Sequence, residues 1–217
     1  MNRPTRKYRG ASAAERRSAR REQLVAAGVE VFGERGFHAA TVREICQRAS
    51  LTERYFYESF AGQAELFAAA YDSKLDELQA LILESLKASP PGLRERATAG
   101  LTVFFETMQN DQPMARILLM EIYGAQYDLQ RLYERSIRRF SQMIQSVALP
   151  LDQASARPGY DPGLLATGLV GVCIQMAGRW AIEGYRQPPS HLVANCMLIF
   201  EGLAARLGIA DSGNSVV

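Results

Sequence analysis

Along the first third of the chain, apolar side chains recur at three- and four-residue steps, with breaks at Gly36, Ser50 and Gly62. Leu24, Ala27, Gly28, Val31 and Phe32 form one stripe. It predicts a helix running from a Ser12–Glu15 capping box to Gly36, a residue suited to end it in the left-handed conformation. Thr41 and Glu44 make a second capping box, and Val42, Ile45, Cys46 and Ala49 give the next helix its inward face. Ser50 and Leu51 then turn the chain. Thr52 can cap a third helix, in which Phe56 and Phe60 lie one turn apart and plug the core. The fourth stripe is Leu66, Phe67, Ala70, Leu75, Leu78, Ile82 and Leu86. It opens at Gly62 with Glu65 at the third helical position, and stops at Ser89-Pro90-Pro91-Gly92. Its roughly 25 residues span about 37 Å at 1.5 Å per residue.

Turn-forming residues cut the remainder into helices at about 93–110, 113–124, 128–149, 162–185 and 189–207, with a Pro- and Gly-bearing linker at 150–162. The 113–124 segment is apolar on nearly all sides and should be central. Arg131, Arg135, Arg138 and Arg139 on the 128–149 helix read most simply as a solvated face. No strand-like alternation and no internal repeat occurs, so the fold class is all-α.

The third helix leaves Glu53, Arg54, Tyr55, Tyr57, Glu58 and Ser59 outward. Two Tyr and an Arg near an exposed helix N-terminus suit phosphates and base edges. The alternative is an ordinary helical hairpin whose Tyr rings pack on neighbours. Charge bears on this choice. Residues 1–60 hold 12 Lys+Arg against 7 Asp+Glu, and residues 61–217 hold 13 against 16. A basic N-terminal third on a mildly acidic body fits a polyanion met at one end. Arg16, Arg17, Arg20 and Arg21 on the first helix, and Arg3, Arg6, Lys7 and Arg9 in an N-terminal arm, extend that basic surface. Both groups are equally readable as solvated.

These residues carry a family resemblance. Residues 20–70 resemble the N-terminal domain of the TetR family of bacterial transcriptional regulators. The match rests on a helix ending Phe32-Gly33-Glu34-Arg35-Gly36-Phe37, the segment Thr41-Val42-Arg43-Glu44-Ile45, and an aromatic Phe56-Tyr57 followed by Phe60 and a capped helix. The resemblance implies a three-helix helix-turn-helix DNA-binding domain (12–61, after the arm 1–11) and a larger helical ligand-binding and dimerisation domain (62–210). It implies a transcriptional regulator, expected here to be a ligand-responsive repressor that binds double-stranded DNA at a palindromic operator as a homodimer. Thr41 and Arg43 match positions that meet phosphate or nearby bases. With Glu53, Arg54, Tyr55, Tyr57 and Gln63 they form the expected DNA-binding set; Arg54 suits guanine and Glu53 can accept from cytosine. Gln63 departs from the family, which usually has a phosphate-holding Lys in that slot. Arg54 and Tyr55 replace the small residues common early in the reading helix.

The family also pairs its last two major helices into a four-helix dimer interface, here assigned to Gly171, Gly178, Cys196, Met197, Phe200 and Leu203. It places a small-molecule effector pocket among the middle helices. Phe104, Phe105, Met108, Met114, Met120, Tyr123, Gln175, Met176, Arg179 and Trp180 are candidates, though Met and aromatics at helical spacing more often form core. Arg179 beside Trp180 stands out, since a buried Arg needs an anionic partner: a ligand, or a carboxylate such as Glu121 or Glu183. The long helix at 63–88 would link pocket to reader.

Other functions find less support. The three Cys are far apart and the only two His are His38 and His191, so neither a disulfide framework nor a metal site is expected. No catalytic triad, phosphate loop or paired-acid motif is visible, and no enzyme or cofactor is expected. The scattered cysteines suit a reducing cytoplasm, and the basic N-terminus lacks the apolar run expected of a signal peptide. Leu164–Ile182 reads as a packing helix, not a membrane span, because Gln175 and Arg179 interrupt it. The rival reading is a helical protein-interaction module without specific DNA binding.

Overall fold

The computed structural model describes residues 12–120, 127–148 and 161–208; the side chains of residues 120, 127–129, 147 and 148 lie outside that description. The described residues are helices and their connections, with no strand among them. The arm 1–11, Glu121, Tyr123, most of the 150–162 linker and the last residues fall outside the described set, as does the Met120 side chain.

The chain divides into two compact units, between Ala70 and Tyr71. This point lies inside the fourth helix and beyond the expected 61/62 boundary. The reason is packing: Leu66, Phe67 and Ala70 are buried core residues of the first unit.

The first unit contains α1 (Ala13–Arg35), α2 (Val42–Arg48), α3 (Glu53–Tyr57) and the opening turns of α4 (Gln63–Ala88). The Ser12–Glu15 capping box is complete: the Glu15 amide donates to Ser12 Oγ at 3.1 Å and the Ser12 amide to Glu15 Oε2 at 2.5 Å. At α2 only half the expected box forms. Thr41 Oγ1 accepts from the Glu44 amide at 3.2 Å, while the Glu44 carboxylate pairs instead with Arg35 at 3.2 Å. Thr52 stands at the N-cap of α3 but its hydroxyl makes no capping bond. Gly36 ends α1 at φ 82°, ψ 166°, an extended mirror conformation open to glycine and not the left-handed helical one expected. Between α2 and α3 the left-handed residue is Ser50, at φ 54°, and the Leu51 amide returns to the Cys46 carbonyl at 2.9 Å. The core is an aromatic cluster. Phe67 meets Phe32 and Phe37 edge-on, each at 5.1 Å, and Phe56 lies 5.8 Å from Phe60. Gly28 lets α4 approach α1, since a Cβ there would sit 3.2 Å from Leu66.

The second unit runs through the rest of α4, then α5 (Leu93–Asn110), α6 (Gln112–Ala115), a π-helical turn at Arg116–Met120, α7 (Tyr127–Ala148), α8 (Pro162–Ile182) and α9 (Pro189–Leu207). Asp111 organises one corner: Oδ1 accepts from the Met114 amide at 2.8 Å and Oδ2 pairs with Lys74 at 3.1 Å. Asp161 caps α8 ahead of Pro162, accepting from the Gly163 and Leu164 amides at 2.8 and 3.0 Å. α8 stops at Ile182, short of the expected Tyr185, because Gly184 and Tyr185 take positive φ. The Tyr185 ring stacks edge-on to Trp180 at 4.8 Å, which offsets the strain. α7 packs chiefly on α8, and α9 on α5.

The α7 arginines are not simply a solvated face. Arg135 pairs with Asp72 at 2.5 Å and Arg139 with Asp76 at 2.6 Å. Both couples are spaced four residues apart, so they form two rungs joining α7 to the second-unit part of α4.

Candidate nucleic-acid interface and effector cavity

The α3 helix has one face on the core and one outside. Phe56 is fully buried, which fixes its rotation and sends Glu53, Arg54 and Tyr57 outward. Tyr57 is 60% exposed, and its ring is set edge-on to Phe56 at 5.2 Å. Ordering of an exposed ring by a buried one makes a stiff, amphipathic contact. The Arg54 side chain is 84% exposed and meets Glu58 at 3.1 Å, a surface pair easily exchanged for another anion. Tyr55 is half-buried, with the Arg20 guanidinium 4.5 Å above its ring. Thr41 and Arg43 are exposed at the start of α2. Gln63 is not displayed in the same way: its Nε2 donates to the Phe37 carbonyl at 2.6 Å, and the side chain is half-buried.

The α1 arginines have a role that the sequence did not disclose. Arg17 Nη2 donates to the Glu58 carbonyl at 2.6 Å, and Arg21 Nη1 donates to the Ser59 carbonyl at 3.1 Å. Arg21 also lies 4.1 Å from the Phe60 ring centre. Two cations from α1 thus dock on carbonyls at the C-terminal end of α3, where helix carbonyls attract positive charge, and Arg20 joins them 3.9 Å from the Glu58 carboxylate. Their spacing at 17, 20 and 21 puts them on one face of α1, the only signal available beforehand. Arg48 faces the other way. It forks onto Glu34 at 2.9 and 3.0 Å and reaches Glu30 at 2.8 Å, tying α2 to α1. The Arg48 hydrogen bond holds the Glu34 carboxyl below its ordinary value.

The second unit forms a half-open apolar cavity of about 440 Å³. This lies within the roughly 300–1,000 Å³ range of small-molecule sites. Tyr71, Leu75, Leu78, Ile82 and Leu86 of α4 form one wall, and Leu118 and Leu119 of the π-helical turn reach it too. From Tyr71 to Leu86 the wall is about 22 Å long at 1.5 Å per residue. Gly100 of α5 keeps it narrow, since a Cβ there would lie 3.4 Å from Leu86.

Of the expected pocket residues, Phe104 and Met108 line this cavity. Phe105 and Trp180 do not. They are buried in an aromatic stack, 6.0 Å apart, and Trp180 Nε1 donates to the Gln187 carbonyl at 3.0 Å. Met114 is also core, and Met176 packs against Cys196, sulfur to sulfur, at 3.3 Å. Gln175 is exposed, and Arg179 is an exposed residue paired with Glu183 at 2.8 Å, so no buried cation exists there to call for a ligand.

The residues assigned to a dimer face are mostly turned inward. Gly178 and Cys196 are buried within the chain, and Met197, Phe200 and Leu203 line the cavity. α9 is apolar on two sides, and the larger side chains serve the monomer. The outer face is instead Leu198 and Ile199 on α9 with Leu164 and Ile182 on α8, of which Leu164, Ile182 and Leu198 are each about 70% exposed. Gly168, Gly171 and Gly202 have open space where a Cβ would stand, so Gly171 belongs to this outer side. α8 is long and apolar enough to cross a membrane, but Gln175 and Arg179 are among its exposed residues.

Residues 24–70 match the family described as bacterial regulatory proteins, tetR family. The chain is 30% identical over 158 residues to the HTH-type transcriptional regulator BetI of Escherichia coli, covering 70% of this chain and 80% of that one. It is 25% identical over 164 residues to the HTH-type transcriptional activator FasR of Mycolicibacterium smegmatis, covering 76% and 73%. Its fold is similar to that of the transcriptional regulator FadR from Bacillus subtilis, solved in complex with stearoyl-CoA. The TM-score is 0.71 at 16% identity, over 82% of this chain and 96% of that one.

Proposed function

The chain belongs to the tetR family of bacterial regulatory proteins and is a DNA-binding transcriptional regulator, and on that premise we propose that it is a cytoplasmic homodimeric repressor released from a palindromic operator by a long-chain apolar effector. Arg54 and Tyr57 read base edges or hold backbone. Glu53, Thr41 and Arg43 complete the contact surface, and Tyr55 supports it under Arg20. Gln63 contributes through its place at the start of α4 and not through a free carboxamide. Two copies meet through the outer faces of α8 and α9, where the glycines allow close approach and Leu164, Ile182, Leu198 and Ile199 supply apolar area. A two-fold dimer presents two copies of α3, which calls for inverted half-sites.

The single observation that carries the effector reading is the cavity: long, narrow and walled almost wholly by hydrocarbon. Such a shape accepts an alkyl chain better than a compact polar molecule, with each buried methylene contributing about 0.8 kcal/mol. The solved relative holding stearoyl-CoA and the curated relative named as a fatty acid metabolism regulator fit the same chemistry. In this reading the ligand acts through α4, which gives five side chains to the cavity and also carries Leu66 and Phe67 of the first unit's core. The ligand shifts the DNA equilibrium only as far as it binds the DNA-free state more tightly. The test is selection of bound fragments from random DNA by purified protein, with and without long-chain ligands. An enriched inverted repeat that is lost on adding ligand supports the proposal. Absence of any enriched sequence overturns the regulator's specificity, and enrichment untouched by every chain length overturns the effector.

A further inference from the structure

The two ends of the cavity differ in one respect. At the end formed by Tyr71 and Ser136 the polar groups satisfy each other: Tyr71 Oη donates to Ser136 Oγ at 3.0 Å, and Ser136 Oγ donates to the Tyr133 carbonyl at 2.8 Å. At the opposite end stand all the charged residues of the lining, Arg94, Arg96 and Glu201. Two buried atoms among them are unsatisfied, while Arg94 is mostly exposed. Arg96 Nε is buried without a hydrogen-bond partner, and so is Glu201 Oε1. Arg94 Nε lies 3.3 Å from Glu201 Oε1, an ion pair that lacks hydrogen-bond geometry. A buried donor left unmade is expensive, and such exceptions need an explanation.

We infer that Arg96, supported by Arg94, is a headgroup site for an anionic amphipath, whose alkyl tail runs along α4 toward Tyr71. This rests on the apolar-effector reading and adds the polarity, orientation and charge of the ligand. Three features favour an anion. The three side chains carry a formal net charge of +1. In the helical register Arg94 and Arg96 fall on opposite sides of the apolar stripe of Ala97, Leu101 and Phe104, and all five line the cavity, Arg96 with its Nε buried and Arg94 mostly exposed at the mouth. The first turn of α5 lines the same end, and the positive end of an 18-residue helix favours negative charge there. The satisfied hydroxyls at the Tyr71 end ask nothing of a ligand, which makes that end the place for the hydrocarbon terminus. Glu201 holds Arg94 in the absence of ligand and disfavours a second anion beyond the one that Arg96 receives.

The shared chemistry is an anionic head on a long alkyl chain, available as a free carboxylate or as a coenzyme A thioester. The experiment measures binding to the full-length protein of four ligands of one chain length: carboxylate, coenzyme A thioester, primary alcohol and alkyltrimethylammonium. The expected order is an anionic ligand first, the alcohol weaker by about ten- to a hundredfold, and the cation weakest. The carboxylate and thioester arms identify the source. Arg96→Gln should cost the anion at least about tenfold and the alcohol much less, with a wild-type-like circular dichroism melt showing that the variant is folded; Arg94→Gln should act in the same direction more weakly. Equal affinity for all heads overturns the inference while leaving the apolar effector intact, as does a cation that binds best and is weakened by Glu201→Gln. Binding of none of the four overturns the effector reading itself and the inference with it.

Discussion

The Arg17 guanidinium donates to the Glu58 carbonyl at 2.6 Å, so the first helix of the chain holds the last turn of the reading helix. α3 is only five residues long and cannot persist alone. Arg17→Ala should therefore lower stability by about 1 kcal/mol. It should also weaken binding to all DNA sequences alike, because it loosens α3 without removing a base contact. Urea unfolding together with binding to operator and unrelated duplex checks both parts; a change in sequence preference would place Arg17 on the bases instead.

Tyr57→Ala tests the contact surface itself. The ring is mostly exposed, so its removal should leave the unfolding midpoint within about 0.5 kcal/mol of wild type. Operator affinity should nevertheless fall at least tenfold. Unchanged affinity would remove Tyr57 from the interface.

Acid stability should depend on Glu34. Its folded pKa is held below the ordinary 4.5, first by the Arg48 hydrogen bond, so the stabilisation is present above that value and disappears as pH falls through the lower folded value. Glu34→Gln should flatten the melting-temperature curve below about pH 4.5 and leave its shape near neutrality unchanged. Circular dichroism melts across that range measure it.

The outer faces of α8 and α9 give a contrast between neighbouring residues. Leu198 is 69% exposed, whereas Phe200 lines the cavity. Leu198→Glu should dissociate the homodimer in sedimentation, and Phe200→Leu should leave it intact while altering ligand affinity. A dimer that survives Leu198→Glu and Ile182→Glu together would place the interface elsewhere.

Cavity length should set chain-length preference. Met108 lines the cavity and is fully buried. A Met108→Trp substitution fills part of the Tyr71 end, so long-chain ligands should lose affinity while shorter ones keep theirs. In wild type the gain per methylene should be about fourfold, from about 0.8 kcal/mol each, until the chain outgrows the cavity. Calorimetric titration of a homologous series reads both effects.

Much of this architecture was legible because local signals set it. Pro and Gly punctuation gave Leu93–Asn110 and Pro189–Leu207 their observed bounds, and the Ser12–Glu15 box formed as its spacing implies. Burying Phe56 turned Glu53, Arg54 and Tyr57 outward as the pattern implies, while Tyr55, Glu58 and Ser59 of the same expected set are half-buried under the α1 arginines. What stayed hidden depends on tertiary choice. Glu44 could bond Thr41 or Arg35, and only packing of α1 on α2 selects the arginine. Asp72, Asp76, Arg135 and Arg139 have matching spacings, yet nothing local pairs α4 with α7. α9 is apolar on two faces, and the pattern alone does not say which is covered by its own chain; hence it did not show that Met197, Phe200 and Leu203 line the cavity. For Arg179 the Glu183 alternative holds, one turn later, but at the surface and not in a buried site.

The most direct measurement is a titration of the selected inverted-repeat duplex with purified protein across a salt series, beside a scrambled duplex of equal composition. The expected result is two chains per duplex and log K falling linearly with log salt, at a slope of about −0.9 per phosphate neutralised. The scrambled duplex should bind at least about a thousandfold more weakly. Equal affinity for both duplexes, or affinity independent of salt, would contradict a sequence-specific DNA-reading function.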